Sequence, residues 1–142
     1  MSKKWFKNNG MHVSWLIALV ATLGSLYFSE ILHFLPCKLC WYQRILMYPL
    51  VILLGIAAVR RDYKLTIYVL PMTIWGACIS IYHVLLQSGV FHEDATACGP
   101  IPCDVDYLDL PGILSFLTIP MLAGTAFILI TILQYLTYRA TK

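Results

Sequence analysis

Four long apolar runs separated by short polar interruptions set the pattern of the chain. They cover about residues 13–34, 41–59, 65–86 and 113–136, each near the roughly 20 residues that a helix needs to cross about 30 Å of hydrocarbon. A strand or loop has no place alone in lipid, because every backbone N–H and C=O there must find its partner within the segment. Between the runs lie a short turn at about 35–40, the polar turn Arg60-Arg61-Asp62-Tyr63-Lys64, and one longer polar segment at about 87–112. The expected fold is an all-α, integral membrane four-helix bundle. It forms a single domain over residues 1–142, without internal repeat or low-complexity tract.

The charges give this bundle a direction. Lys3, Lys4, Lys7, Arg60, Arg61, Lys64, Arg139 and Lys142 fall on one side of the four spans, whereas Lys38 and Arg44 fall on the other. By the positive-inside bias, both termini and the central turn are expected in the cytoplasm and the turns at 35–40 and 87–112 outside. Lysines ahead of an apolar run can also open a secretory signal, but this run exceeds a signal's apolar region of about 7 to 15 residues. It also lacks a convincing small-residue cleavage site, so it is read as a retained first helix. With 60% hydrophobic and 12% charged residues and a mean hydropathy of +0.76, the chain is no ordinary water-soluble globule. A net charge of +3 without a basic cluster on a polar face argues against a nucleic-acid footprint.

Against this frame the cysteines become informative. Cys37 and Cys40 form Cys-Lys-Leu-Cys in the first outward turn, and Cys98 and Cys103 form Cys-Gly-Pro-Ile-Pro-Cys in the second. Cys78 lies mid-span beside Gly76 and Ala77, as a small packing residue would. Outside the cytoplasm paired thiols can persist as disulfides. Cys37 and Cys40 straddle the expected start of the second helix, where free backbone N–H groups and the helix dipole favour an anion. The thiolate of Cys40 is therefore expected to be stabilised, with Arg44 one turn further on adding a cation. Arg44 either snorkels to the interface or holds a reducible group near Cys40. The Cys98–Cys103 pair reads equally as an exchangeable disulfide or as a staple of the long loop. Both turns top one small bundle, so electrons can pass between the pairs by direct thiol–disulfide exchange. No haem, flavin or iron–sulfur signature is present, and a lipid-dissolved quinone reaches a helix-end cysteine from within the bilayer.

The run Cys-Lys-Leu-Cys-Trp-Tyr-Gln-Arg at Cys37 to Arg44 resembles the signature of DsbB-like disulfide bond formation proteins. The two-loop, four-span plan resembles them over nearly the whole chain, and the compact second pair is similar to the BdbC-type, Gram-positive branch. The resemblance implies a thiol:quinone oxidoreductase of the cell membrane, with Cys37, Cys40, Cys98 and Cys103 catalytic on the extracytoplasmic face. It implies menaquinone or ubiquinone as electron acceptor, met by Cys40, with Arg44 and His83 binding it, and no metal. The implied partner is an extracytoplasmic, DsbA/BdbD-like thioredoxin-fold thiol oxidase, joined through Cys98 and re-oxidised at the second pair. Two departures stand out: Gln43 occupies a position where some members carry an acid, and the second pair is only five residues apart. Glu30 and His33, near the outer end of the first span, are most simply solvated by headgroups.

Three rival readings use the same features. Four outward thiolates can close around one zinc ion, although Arg44 opposes a cation there. A structural or transport bundle can use its cysteines as staples, yet the chain lacks the mid-membrane acid that transporters carry. Vitamin K epoxide reductases resemble this chemistry but carry their Cys-x-x-Cys late in the chain, whereas here it comes early.

Overall fold

The computed structural model describes residues 3–90 and 118–142. Helix α1 covers Lys3–Leu26 and continues as a π-turn over Tyr27–Ile31; α2 covers Lys38–Arg60, α3 Thr66–Gln87 and α4 Ile119–Thr141. With their adjoining turns, all four are long and apolar enough to cross a membrane. The described chain contains no strand, and the four-helix all-α architecture is the one expected. The loop expected at 87–112, with Cys98 and Cys103, lies beyond α3 and almost wholly outside the described residues, as does the start of the fourth apolar run.

Helix ends depart from the apolar runs for local reasons. Helix α1 is already formed at Lys3, the first described residue and well ahead of the apolar run, because exposed Lys3, Lys4 and Lys7 continue the helix without needing lipid. Thr118 precedes α4 in extended conformation, and Pro120 sits in its first turn, where a missing N–H costs no helical bond. Between α2 and α3, Arg61 adopts a left-handed conformation (φ 53°) and the Asp62 carboxylate accepts a hydrogen bond from the Lys64 backbone N–H at 3.0 Å. The chain thus reverses within a few residues.

The helices pack in a ring, each against its two neighbours. Phe127 of α4 is fully buried against Gly76 of α3, where even a single added Cβ would run into the ring. Met11, Leu50, Leu54, Val69 and Ile130 complete the core. Burial is inverted relative to a soluble protein. Val20, Ile52, Val59, Ile67 and Trp75 face outward, while Ser14, Thr66, Thr73, Ser80, Gln134 and Thr137 are buried. Lipid tails solvate the first set as well as a core would, and hydrogen bonds within and between helices satisfy the second. The Thr66 hydroxyl donates to Gln134 Oε1 at 3.0 Å, and Ser14 and Ser80 donate to carbonyls one turn back. Tyr63 Oη donates to the Lys7 carbonyl at 2.9 Å, bringing the start of α1 to the α2–α3 turn. The lysine-rich start of α1 therefore shares an end with the Arg60-Arg61 turn, opposite the Cys37–Cys40 pair.

Candidate functional site

Cys37 follows Pro36 in extended conformation, and the helix starts immediately afterwards. Cys37 is its N-cap (φ −72°, ψ 172°), and the Cys37 carbonyl accepts the first helical bond from Trp41 N–H at 3.1 Å. Cys40, three residues on, lies in the first turn. The two sulfurs are 3.4 Å apart and both thiols are free. This is longer than an S–S bond of about 2.05 Å, yet near enough to close without moving the backbone far.

The sulfurs face different surroundings. Cys37 is buried, and His83 Nε2 of α3 stands 3.7 Å from its Sγ. His83 is itself only 1% exposed, and Gln43 Nε2 lies 3.5 Å from its Nδ1, close enough to steady the ring. The Cys37 thiol is held down to about 4 by its hydrogen bond with the Cys40 sulfur and, after that, by His83; burial opposes both. The stabilised thiolate expected at Cys40 therefore falls on Cys37. The reason is the hydrogen bond between the two sulfurs and the histidine that α3 supplies on the Cys37 side.

Cys40 looks the other way, into a cavity of about 720 Å³ between α1, α2 and α4. Its walls are mostly apolar, with Val20, Phe28, Phe34, Met47 and Leu122 among them; Cys40, Gln43, Arg44 and Tyr48 line it from α2. Val20 and Leu122 are also exposed on the outer face of the bundle, so the cavity is reachable from its apolar flank. Arg44 does not extend away from the bundle. Its Nη2 donates to the Ser25 carbonyl at 3.1 Å, where α1 is about to widen into its π-turn, and its guanidinium lies 5.9 Å from the Trp41 ring centroid. Cys37 and His83 are not on the cavity wall. Cys78 is exposed on α3, and Glu30 and His33 are exposed around the end of the π-turn.

A dithiol at a helix start, with a histidine on one side and an arginine-bearing apolar cavity on the other, has the parts of a thiol redox centre facing lipid. The family of disulfide bond formation protein DsbB matches residues 7–137. The chain belongs to that family. It is 53% identical over 127 residues to disulfide bond formation protein C of Bacillus subtilis, covering 89% of this chain and 90% of the relative. It is 49% identical over 140 residues to a probable disulfide formation protein C of Halalkalibacterium halodurans, covering 98% of each. A probable disulfide formation protein C 1 of Bacillus anthracis is 45% identical over 137 residues, 96% of each chain. No solved structure matches the chain. Family membership and four membrane-length helices together make this DsbB-family chain a multi-pass membrane protein.

Of the expected site residues, the bundle brings Cys37, Cys40, Arg44 and His83 to one end, while Cys98 and Cys103 lie outside the described residues. Sequence reasoning tied Gln43 only to how Arg44 is held, not to His83, and passed over Ser25. Gln43 carried a signal, as a buried amide in an apolar helix next to Arg44. Ser25 carried none, because it acts through its carbonyl.

Proposed function

We propose that this chain is a thiol:quinone oxidoreductase supporting disulfide bond formation in exported proteins. In this reading a DsbA/BdbD-like thioredoxin-fold partner, after oxidising its own substrate, gives two electrons to the Cys98–Cys103 disulfide. That pair then reduces Cys37–Cys40, and Cys40 delivers the electrons to a membrane quinone, menaquinone or ubiquinone. The active cysteines stand on the extracytoplasmic face of the cell membrane, opposite the basic turn and termini.

The observation that carries the reading is that Cys40 and Arg44 share the wall of an apolar cavity open toward lipid, while Cys37 sits beyond it with His83. The donor set fits a quinone: an apolar chamber for the ring and isoprenoid tail, and a fixed cation for a carbonyl oxygen. When bound, a quinone accepts two electrons and two protons. The chain's own chemistry balances that demand. One S–S bond forms between Cys37 and Cys40, the Cys40 thiol and the Cys37–His83 pair each give up one proton, and the electron pair leaves through Cys40. Arg44, fixed by Ser25, holds positive charge where negative charge develops. His83 Nε2 takes up or releases the Cys37 proton as that sulfur changes state.

The test is quinone reduction in detergent by a reduced thioredoxin-fold partner. Turnover is expected in the wild type and is lost in Cys37→Ser, Cys40→Ser, Cys98→Ser and Cys103→Ser. Unchanged turnover in Cys40→Ser rules out the relay. A Cys103→Ser variant is expected to trap the partner through Cys98, and accessibility labelling is expected to find both pairs outside. A metal-binding reading draws on the donor atoms of Cys37, Cys40 and His83, which lie within 4.8 Å of one another. One tightly held zinc per purified chain, with no quinone reduction, would favour it.

A further inference from the structure

Three donor atoms from two helices converge at the start of α2. Cys37 Sγ stands 3.4 Å from Cys40 Sγ and 3.7 Å from His83 Nε2, and all three atoms lie within 4.8 Å of one another. A point equidistant from the three is no more than about 2.4 Å from each, close to the ~2.3 Å of a zinc–sulfur bond and the ~2.05 Å of a zinc–imidazole bond. Seating an ion there needs only small side-chain adjustments. Among the described residues no other cluster of Cys, His, Asp or Glu converges in this way.

The surroundings agree with the geometry. Two thiols and an imidazole are donors for zinc and its borderline-soft neighbours, whereas magnesium and calcium take oxygen. Both thiols are free, and Cys37 and His83 are almost wholly buried, so the donors are held by packing. A metal-bound histidine is normally fixed by a partner at its other ring nitrogen. Gln43 supplies one: it is itself buried, and its amide lies 3.5 Å from His83 Nδ1. Turned so that Oε1 faces the ring, this amide accepts the Nδ1 proton and leaves Nε2 free to bind an ion. Arg44, the cation on the next turn, is committed to the Ser25 carbonyl on the cavity side, where neither Cys37 nor His83 forms the wall.

We propose that Cys37, Cys40 and His83 form a reversible zinc site that exists only while the dithiol is reduced, and that zinc bound there switches the relay off. The inference rests on the quinone reading of the site and adds a regulator to it. Binding moves no electrons. Two zinc–sulfur bonds and one zinc–nitrogen bond form, the protons still on the sulfurs pass to water, and a water takes the fourth position. Zinc has no redox chemistry, so the dithiol stays reduced. Sulfurs sharing one tetrahedral ion stand about 3.8 Å apart, too far for the ~2.05 Å bond that must form when electrons leave. The oxidised pair, in turn, offers no thiolate to an ion. Occupancy therefore follows the redox state, and zinc gathers on the chain when the supply of oxidant falls behind.

The test uses the purified full-length chain in detergent, stripped of metal, with zinc chloride as the probe. Competition with a chromophoric chelator is expected to show one zinc per reduced chain, and an affinity at least about 100-fold weaker once the chain is oxidised. A Cys78→Ala/Cys98→Ser/Cys103→Ser chain is expected to bind zinc as the wild type does, and loss of binding there overturns the three-residue site. Adding Cys37→Ser, Cys40→Ser or His83→Ala to that chain is expected to weaken binding at least about tenfold. Equal binding by the oxidised chain, or by all three of these variants, means an adventitious ion only and overturns the proposal. Cobalt(II) is expected to give sulfur-to-metal charge-transfer absorption with the reduced wild type. That measurement needs no variant to fold, and a spectrum without the band overturns the proposal. Single-turnover oxidation of the pre-reduced chain by a short-chain quinone is expected to slow at least about tenfold with zinc bound and to recover with EDTA. An unchanged rate with zinc bound overturns the switch. If the zinc-free chain reduces quinone while zinc neither binds nor slows it, the proposal falls and the quinone reading stands. If the zinc-free chain reduces no quinone, that reading fails and the switch fails with it, even where zinc binds.

Discussion

Gly24 offers the sharpest test that the cavity houses the electron acceptor. It lies on α1 and lines the cavity, and a Cβ built there meets no atom within 4 Å. A phenylalanine at this position projects its ring into the chamber without striking the bundle. A benzene-sized ring takes up on the order of 150 Å³, about a fifth of the 720 Å³ present. If it displaces on the order of 100 Å² of ligand contact, about half of what one aromatic side chain buries, the loss at ~25 cal/mol per Å² is about 2.5 kcal/mol. That corresponds to roughly a 70-fold weaker apparent affinity for quinone. Stability should move the other way, because glycine within a helix is about 0.5 kcal/mol less favourable than phenylalanine. The assay pairs quinone titration of turnover with thermal unfolding of the purified Gly24→Phe chain. A raised KM in a protein at least as stable as wild type identifies a blocked chamber and separates it from misfolding. An unchanged KM in a folded variant refutes the placement of the acceptor between α1, α2 and α4.

Other consequences can be checked separately. Arg44→Lys keeps the charge but loses the planar fork that reaches the Ser25 carbonyl; turnover is expected to fall at least about tenfold, and wild-type rates would dissociate that contact from function. In the reduced protein, alkylation of Cys37 followed against pH is expected to show a midpoint near 4, and His83→Asn should raise that midpoint. Trypsin cuts after Lys38 and so separates the two cysteines for mass analysis. A folded pKa below the unfolded value of about 8.5 means that Cys37 adds stability above that value and loses it as pH falls toward 4. Reduced protein should therefore lose stability over this range relative to oxidised protein, and parallel curves would contradict the assignment. Gln134→Leu removes the partner of the fully buried Thr66 hydroxyl; unfolding in detergent is expected to show about 1 kcal/mol of destabilisation with little effect on quinone KM. Gly76→Val drives a side chain into the Phe127 ring and should cost about 1–3 kcal/mol.

Different parts of the molecule left different traces in the sequence. The four helices were legible because crossing lipid imposes a length and a composition that few other structures require. The dithiol was legible because its spacing carries chemistry wherever it occurs. The assignment of the thiolate was less accessible, since it turned on the contact between the two sulfurs and on His83, which lies 43 positions beyond Cys40. The π-turn at Tyr27–Ile31 and the Ser25 carbonyl beneath it left no side-chain signature. The cavity could not be read at all, because its walls come from three helices whose apolar residues look like any lipid-facing set.

In the proposed relay, the position of the dithiol lets one short motif serve two exchange partners. Residues three apart on an α-helix are rotated by 300°, which leaves them neighbours but offset by about 60° around the axis. With Cys37 as N-cap and Cys40 in the first turn, that offset directs one sulfur toward His83 and the other toward the cavity. The sulfurs remain 3.4 Å apart, within reach of a bond. A dithiol deeper in the helix would have both sulfurs in lipid, closed to a thiol partner from the aqueous side. One placed wholly in the loop would reach such a partner but not the chamber beside Arg44. At the helix start, the proposed relay would take electrons in at Cys37 and out at Cys40, crossing from the His83 side to the cavity side of the site in a single S–S bond.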